Sequence, residues 1–286
     1  MNAMPRKMCA ANALEGGGEV KSRFVAAGEL ATLSGLDAAE PVTVCPLNRA
    51  SRGRNTMTAG VDTSFDYRSD TPPGKDPDKH SPTLRRHHQL LWSKDLPYGG
   101  GRFDLAPEPG GYLVHRSELG VFLLASDAIT TRLTDKASKA IAKISAHELP
   151  QYGGYTAGSA LVFPGNRIGR KMEINSARGF NPSIADRFDV TLECIRRHYS
   201  GEPSNKFGEV LDRYSDFFAL FKDFDGYVEF FLLQDLINED GTIRFFHPFD
   251  NFRTPAVPKT PDEYLEYLQR SRDFIRARNK TIDAQP

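Results

Sequence analysis

The sequence predicts an α+β domain, a small and mostly antiparallel sheet followed by a C-terminal helical layer. Short strand-like runs punctuated by Gly and Pro fill residues 100 to 177, and amphipathic segments with helical spacing take over from 183. Strands first and helices after, with no internal repeat, is the order of segregated rather than alternating elements. The domain spans 61–282, behind a flexible leader at 1–60 and ahead of a tail at 283–286.

The leader differs in texture. "ALEGGGEV" and "SRGRNTMTAG" are flexible breaks, and the segment between them is too short to be a stable helix on its own. Met57 is a natural start for the folded part, which would make the leader a product of an early start codon.

From Ser64 the chain carries Pro72, Pro73, Pro77 and Pro82 and reads as extended up to Pro82. Ser81-Pro82 then supplies an N-cap and first helical position for "TLRRHHQLLW", whose Leu84, His88, Leu91 and Trp92 share one face. "GRFDLAPEPGGYLVHRS" reads as a hairpin about Pro-Gly-Gly, "GVFLLASDAITT" as a strand, and "DKASKAIAKIS" as a polar helix. "YTAGSALVFPG" and "RKMEINSA" read as a strand pair about Pro164-Gly165.

Asn181-Pro182 breaks the chain. Ser183 with Asp186 resembles an acidic capping box for a helix burying Ile184, Phe188, Leu192, Ile195 and Tyr199, which Ser200-Gly201 ends. A second helix has Phe207, Val210, Leu211, Tyr214, Phe217, Phe218 and Phe221 along one face. "FDGYVEFFLLQDLI" is apolar nearly all round, a central buried helix, and "GTIRFFHPF" is strand-like. Thr260, Pro261 and Glu263 form the cleanest helix start of the chain.

Composition excludes several function classes. Lys+Arg and Asp+Glu are both 37, so no whole-chain field steers the protein toward nucleic acid or an acidic membrane. Three scattered cysteines cannot make a disulfide framework or a cysteine zinc site. No window holds the ~18 apolar residues of a membrane span, and no secretory signal opens the chain. A cytoplasmic protein is expected.

Four blocks have a family look: "SDTPPGKDPDKHSPTLRRHHQLLWSK", "INSARGFNPSIADRFDVTLECIRRHY", "YSDFFALFKDFDGYVEFFLLQDL" and "RSRDFIRARN". Together they resemble a bacterial, mainly actinobacterial, family whose domain has no assigned function. The resemblance spans about residues 61 to 282 and implies a bacterial cytoplasm. It implies no activity, cofactor or catalytic residue.

The local chemistry concentrates at two places. "PPGKDPDKHSPTLRRHH" sets Lys75, Lys79, Arg85 and Arg86 beside His80, His87 and His88, with Asp76 and Asp78 interleaved; such basic groups could hold phosphates, and the acids and imidazoles could bind a metal or move protons. His87 and His88 point about 100° apart on a helix, which disfavours joint metal ligation; a solvated, salt-bridged loop is the plainer reading. Arg178-Gly179, read as a strand-to-helix corner, offers an anion site at a helix N-terminus, or else Arg178 simply pairs with Asp186 or Asp189. Arg196, Arg197 and His198 suit the last turn of a helix and need no ligand. "GNRIGRK" falls short of a phosphate loop, "MEIN" with Asp104 of a nuclease core, and "GSA" of a nucleophile elbow.

The leading expectation is therefore a pocket for a phosphorylated ligand, nucleotide or nucleic-acid end, with His80, His87 or His88 as catalytic groups of a hydrolase. Lys75, Arg85, Arg86, Arg178 and Gly179 would bind the ligand. The rival is a non-catalytic interaction or structural protein, whose charges staple loops to the helices. Convergence of Arg85, Arg178 and His87 on one cleft favours the first, and separate partners favour the second.

Overall fold

The computed structural model describes residues 60–108, 111–129, 133, 136–149, 153–203, 205, 207–253 and 257–285. The readings made for the leader, including a start at Met57, lie outside them.

The chain enters through α1 (Pro77–His80) and α2 (Pro82–Trp92). Ser81 caps α2 as its sequence dictates, accepting the Leu84 N–H at 3.0 Å, and Leu84, His88, Leu91 and Trp92 are all buried. The segment before Pro82 is not wholly extended: Asp76 caps Pro77 at the start of α1, accepting the Asp78 N–H. Two strands, β1 (Lys94–Asp95) and β2 (Arg102–Phe103), pair with each other. The main sheet then runs β3 (Ala106–Pro107), β4 (Leu113–Ser117), β5 (Gly120–Ala128) and, after α3 (Ser138–Ile141), β6 (Ala160–Pro164). Its spatial order is the chain order, and every pairing is antiparallel.

The helical layer follows as α4 (Ile174–Phe180), α5 (Phe188–Tyr199), α6 (Gly208–Asp212), α7 (Ser215–Ala219), α8 (Phe224–Phe230) and α9 (Pro261–Asp283). The α+β reading holds. So does the start of α9, where Thr260 and Glu263 exchange both bonds of a capping box.

Four expectations do not hold. "RKMEINSA" is no strand, because Ile174 begins α4 and Asn166 has already closed the adjacent edge of β5. The helix expected from Ser183 begins at Phe188 instead. Ala185 and Asp186 adopt left-handed φ of 53° and 63°, and the Ser183 hydroxyl bonds the Phe252 carbonyl at 2.7 Å. The aromatic helix from Phe207 breaks at Tyr214 into α6 and α7. "GTIRFFHPF" makes only the isolated bridge Ile237–Ile243.

The core is aromatic. Trp92, Phe103, Phe217, Phe221, Tyr227, Phe230 and Phe231 pack edge-on or tilted, with centroids such as Trp92–Phe231 at 5.3 Å and Phe221–Phe230 at 5.0 Å. At its floor α9 runs close under residues 157–159. Gly158 is required there, since a Cβ would stand 2.3 Å from Asn279 Oδ1 and 2.7 Å from the Ile275 carbonyl. Arg278, fully buried, bonds the carbonyls of Gly158 (3.0 Å), Ala160 (2.8 Å) and Phe231 (2.9 and 3.2 Å). No carboxylate pairs with it among the described residues, and burial lowers its pKa to about 10. The guanidinium thus ties the sheet, α8 and α9 through backbone oxygens alone.

Arg278→Met strands those three carbonyls without donors. A loss of about 3–5 kcal/mol is expected, well below the additive cost because water and local shifts recover part of it. Urea unfolding checks this as a lowered midpoint with unchanged slope; a loss under ~1 kcal/mol would show the brace to be dispensable.

Candidate functional site

The nine-residue β5 is only half paired on either side. β4 covers Gly120–Leu124 and β6 covers Leu124–Ala128, so Leu124 alone faces a strand on both edges. Unpaired, buried backbone groups would be costly. Side chains take the place of the missing strands at both ends, and each end becomes a candidate site.

At the C-terminal end the cap is Asp78. The Asp76-Pro77 start of α1 aims its carboxyl at β5, where it accepts the Ser126 N–H at 2.7 Å and bonds the Ser126 hydroxyl. Tyr155 donates to the same hydroxyl at 2.8 Å, and Asn175 reaches the Ser126 carbonyl at 3.5 Å. Burial pushes Asp78 up to about 8, so at neutral pH this carboxyl carries its proton and can donate as well as accept.

Beside it lies Arg178, with no side-chain exposure. Its Nη2 donates to the Asp186 carbonyl at 3.2 Å and carboxylate at 3.0 Å, and stands 3.8 Å from the Asp127 carboxylate. Its Nε and Nη1, like Asn175 Oδ1, are buried without a hydrogen-bond partner. Asp127 and Asp186 cover it with 37% and 31% of their side chains exposed. Loss of solvent presses the Asp127 pKa upward, Arg178 opposes this, and the neighbouring Asp186 adds to the rise.

At the other end the cap is Asn166. Its amide accepts the Leu123 N–H at 2.6 Å and donates to the Val121 carbonyl at 2.8 Å, acting as one residue of strand. Tyr214 fixes it by donating to its carbonyl at 2.6 Å. The sheet stops there, leaving a hollow of about 190 Å³ lined by Leu119, Val121, Phe122, Asn166, Ile168 and Tyr214. Arg213 forms a wall, donating to the Glu209 and Met172 carbonyls while its buried Nε has no partner.

The residues singled out from sequence do not meet. Lys75 and His80 are exposed on the loop and α1, and Arg86 is exposed on α2. Arg85 donates to the carbonyls of Asp78 (3.1 Å) and Gly111 (2.6 Å). His87 is buried, with Tyr67 Oη 3.0 Å from its Nδ1 and the Asp62 N–H bonding its Nε2 at 3.3 Å. Burial lowers the His87 pKa and holds His88 down to about 3.

Arg178-Gly179 is no corner before a helix. Both residues lie inside α4, whose Gly179 carbonyl accepts Lys136 Nζ at 2.8 Å. The pairing of Arg178 with Asp186 is present; Asp189 pairs with Arg187 instead. Arg196 and Arg197 both bond Glu193 and stand near Glu202, consistent with an end of helix that needs no ligand. Cys194 is buried, and burial raises its thiol pKa.

Sequence reading missed Ser126, Asp127, Tyr155, Asn175 and Asn166 as members of the candidate sites. Only Asp78 carried a signal, the Asp-Pro-Asp turn that starts α1. Among the described residues no group of His, Cys, Asp or Glu could hold a metal ion, and no helix is long and apolar enough to cross a membrane.

The fold and both ends of β5 thus define an α+β domain built about one strand capped by side chains. Residues 61–282 match the model of a family of unknown function, DUF6994, and the chain belongs to that family. No curated protein and no solved structure matches the chain.

The pKa of Asp78 makes stability depend on pH. A carboxyl raised from 3.8 to about 8 in the folded state stabilises fully below 3.8 and loses that contribution as pH rises to about 8. His88, lowered from 6.5 to about 3, acts oppositely and costs stability as pH falls below 6.5. Between pH 6.5 and 8 the Asp78 slope stands clear of His88, at up to about 1.4 kcal/mol per pH unit. Asp78→Asn keeps an acceptor for the Ser126 N–H and should flatten that window in denaturant titrations. An unchanged slope would place the proton elsewhere.

Proposed function

We propose that this chain works by docking a partner protein at the Asn166 end of β5, rather than by catalysis. One observation carries this reading. Of seven large apolar side chains exposed among the described residues, Leu119, Val121 and Ile168 line a single hollow, and Met172 is tied to its Arg213 wall. Scattered apolar residues on a surface need no explanation, but a clustered set round a concavity marks an interface. The separate partners of Arg85, His87 and Arg178 support the same reading, since each is used inside the fold. A photo-crosslinking residue at Ile168 should join a specific partner chain in the native cell, while one at exposed Leu90 on α2 should not. Identical adducts at both positions would sink the docking reading.

A second reading, binding of a phosphorylated ligand with hydrolysis as an option, has its own support. Arg178 keeps Nε and Nη1 unpartnered in the interior, which is costly unless an oxygen ligand satisfies them. An oxyanion there meets the carboxylates of Asp127 and Asp186, so it needs one of them to be protonated. On this reading phosphate or a nucleotide raises the melting temperature more at pH 5 than at pH 8, and Asp127→Asn removes the difference. No shift at either pH rules it out.

A further inference from the structure

We infer that the occupant of the hollow is an acidic peptide segment that inserts one large apolar side chain; this rests on the docking reading above. The volume selects the kind of ligand. At about 190 Å³ the hollow takes one large side chain, whereas pockets for drug-sized molecules run to about 300–1,000 Å³.

The charge around it selects the flanking residues. Ile168 lies in a turn closed by the Lys171 N–H on the Ile168 carbonyl at 3.2 Å, with Arg170 in left-handed conformation at φ 60°. Arg170 and Lys171 are exposed and make no ion pair among the described residues, whereas Arg167 pairs with Glu173 at 3.3 Å. Arg213 adds a cation at the wall with an unused buried Nε. Against these stand Asp216 on the lining and Glu118 at the hairpin tip.

The balance is therefore positive on a chain whose net charge is zero. Complementary acids on a partner would steer the encounter and set its orientation, and the apolar anchor would supply the affinity. "GNRIGRK", which fails as a phosphate loop, here has cations placed on either side of an apolar side chain in one exposed turn.

The test uses the full chain and a fluorescein-labelled peptide bearing leucines on one helical face between glutamates. Anisotropy should show saturable binding that weakens with salt, is lost with lysines in place of the glutamates, and falls about tenfold in Arg170→Glu with Lys171→Glu. Ile168→Ser should weaken it without changing salt dependence. Both sites are exposed, and circular dichroism verifies that the variants fold. Equal binding of the acidic and basic peptides, or binding unaffected by these variants, would overturn the inference. Binding of phosphatidylserine vesicles but not the peptide would overturn it too, in favour of a membrane surface. A crosslink at Ile168 to a partner segment without acids would leave the docking reading standing and this inference refuted; the absence of any specific crosslink would remove both.

Discussion

The structure depends on a mismatch of strand lengths. β5 has nine residues, and its neighbours overlap only at Leu124, each leaving one end of β5 uncovered on one edge. A buried strand cannot leave its N–H and C=O groups bare, so the sequence must supply substitutes from elsewhere. It uses Asp78 and Asn175 from before and after the sheet at one end, and Asn166 from the turn just after β6 at the other. Fixing these caps fixes where α1 starts, how β6 leaves the sheet and where α4 lies.

The two caps differ in chemistry, and this separates the two ends in kind. An amide is neutral and can both donate and accept, so Asn166 closes the edge without adding a charge there. A carboxyl only accepts when ionised, and burying its charge is costly, so Asp78 keeps its proton up to about pH 8. Polar groups gather round it: Tyr155, Ser126, Asn175, then the Arg178–Asp127–Asp186 group. One end of the strand became a polar interior and the other a hollow lined by apolar side chains with charges at its edge. Arg278 complements both by holding the start of β6 to α8 and α9.

The legible parts of the sequence were those written in local chemistry. Ser81-Pro82 and Thr260-Pro261 with Glu263 start helices through bonds made within one turn, so type and boundary could both be read. The short apolar runs of β4, β5 and β6, bounded by Gly and Pro, were equally local. What could not be read depended on distant partners. The pairing of Arg178 with Asp186 was among the alternatives the sequence offered, but nothing within residues 183–187 says that the Ser183 hydroxyl goes to Phe252 or that α5 waits until Phe188. The imidazoles misled for the same reason: His87 looks like loop chemistry until Tyr67 and the Asp62 backbone enclose it. Asn166 carried no signal, because an asparagine after a strand usually makes a turn rather than replaces a strand.

A neutral chain can still present a locally charged patch, and which of its cations are free to form one depends on how the fold uses them. Arg178, Arg187 and Arg278 are buried, the first two against aspartates and the third against carbonyls. Arg196 and Arg197 are bound to Glu193. Cations used in this way have few donors left for a ligand, Arg178 Nε and Nη1 excepted, which is why richness in arginine alone is poor evidence for anion binding here. The turn after β6 is the contrary case. Asn166 has already completed the edge of β5, so residues 167–171 owe nothing to the sheet, and Arg170 and Lys171 remain in solvent beside Ile168 and the hollow. A cap that ends the sheet early is thus what frees an apolar and basic turn for an encounter with another molecule.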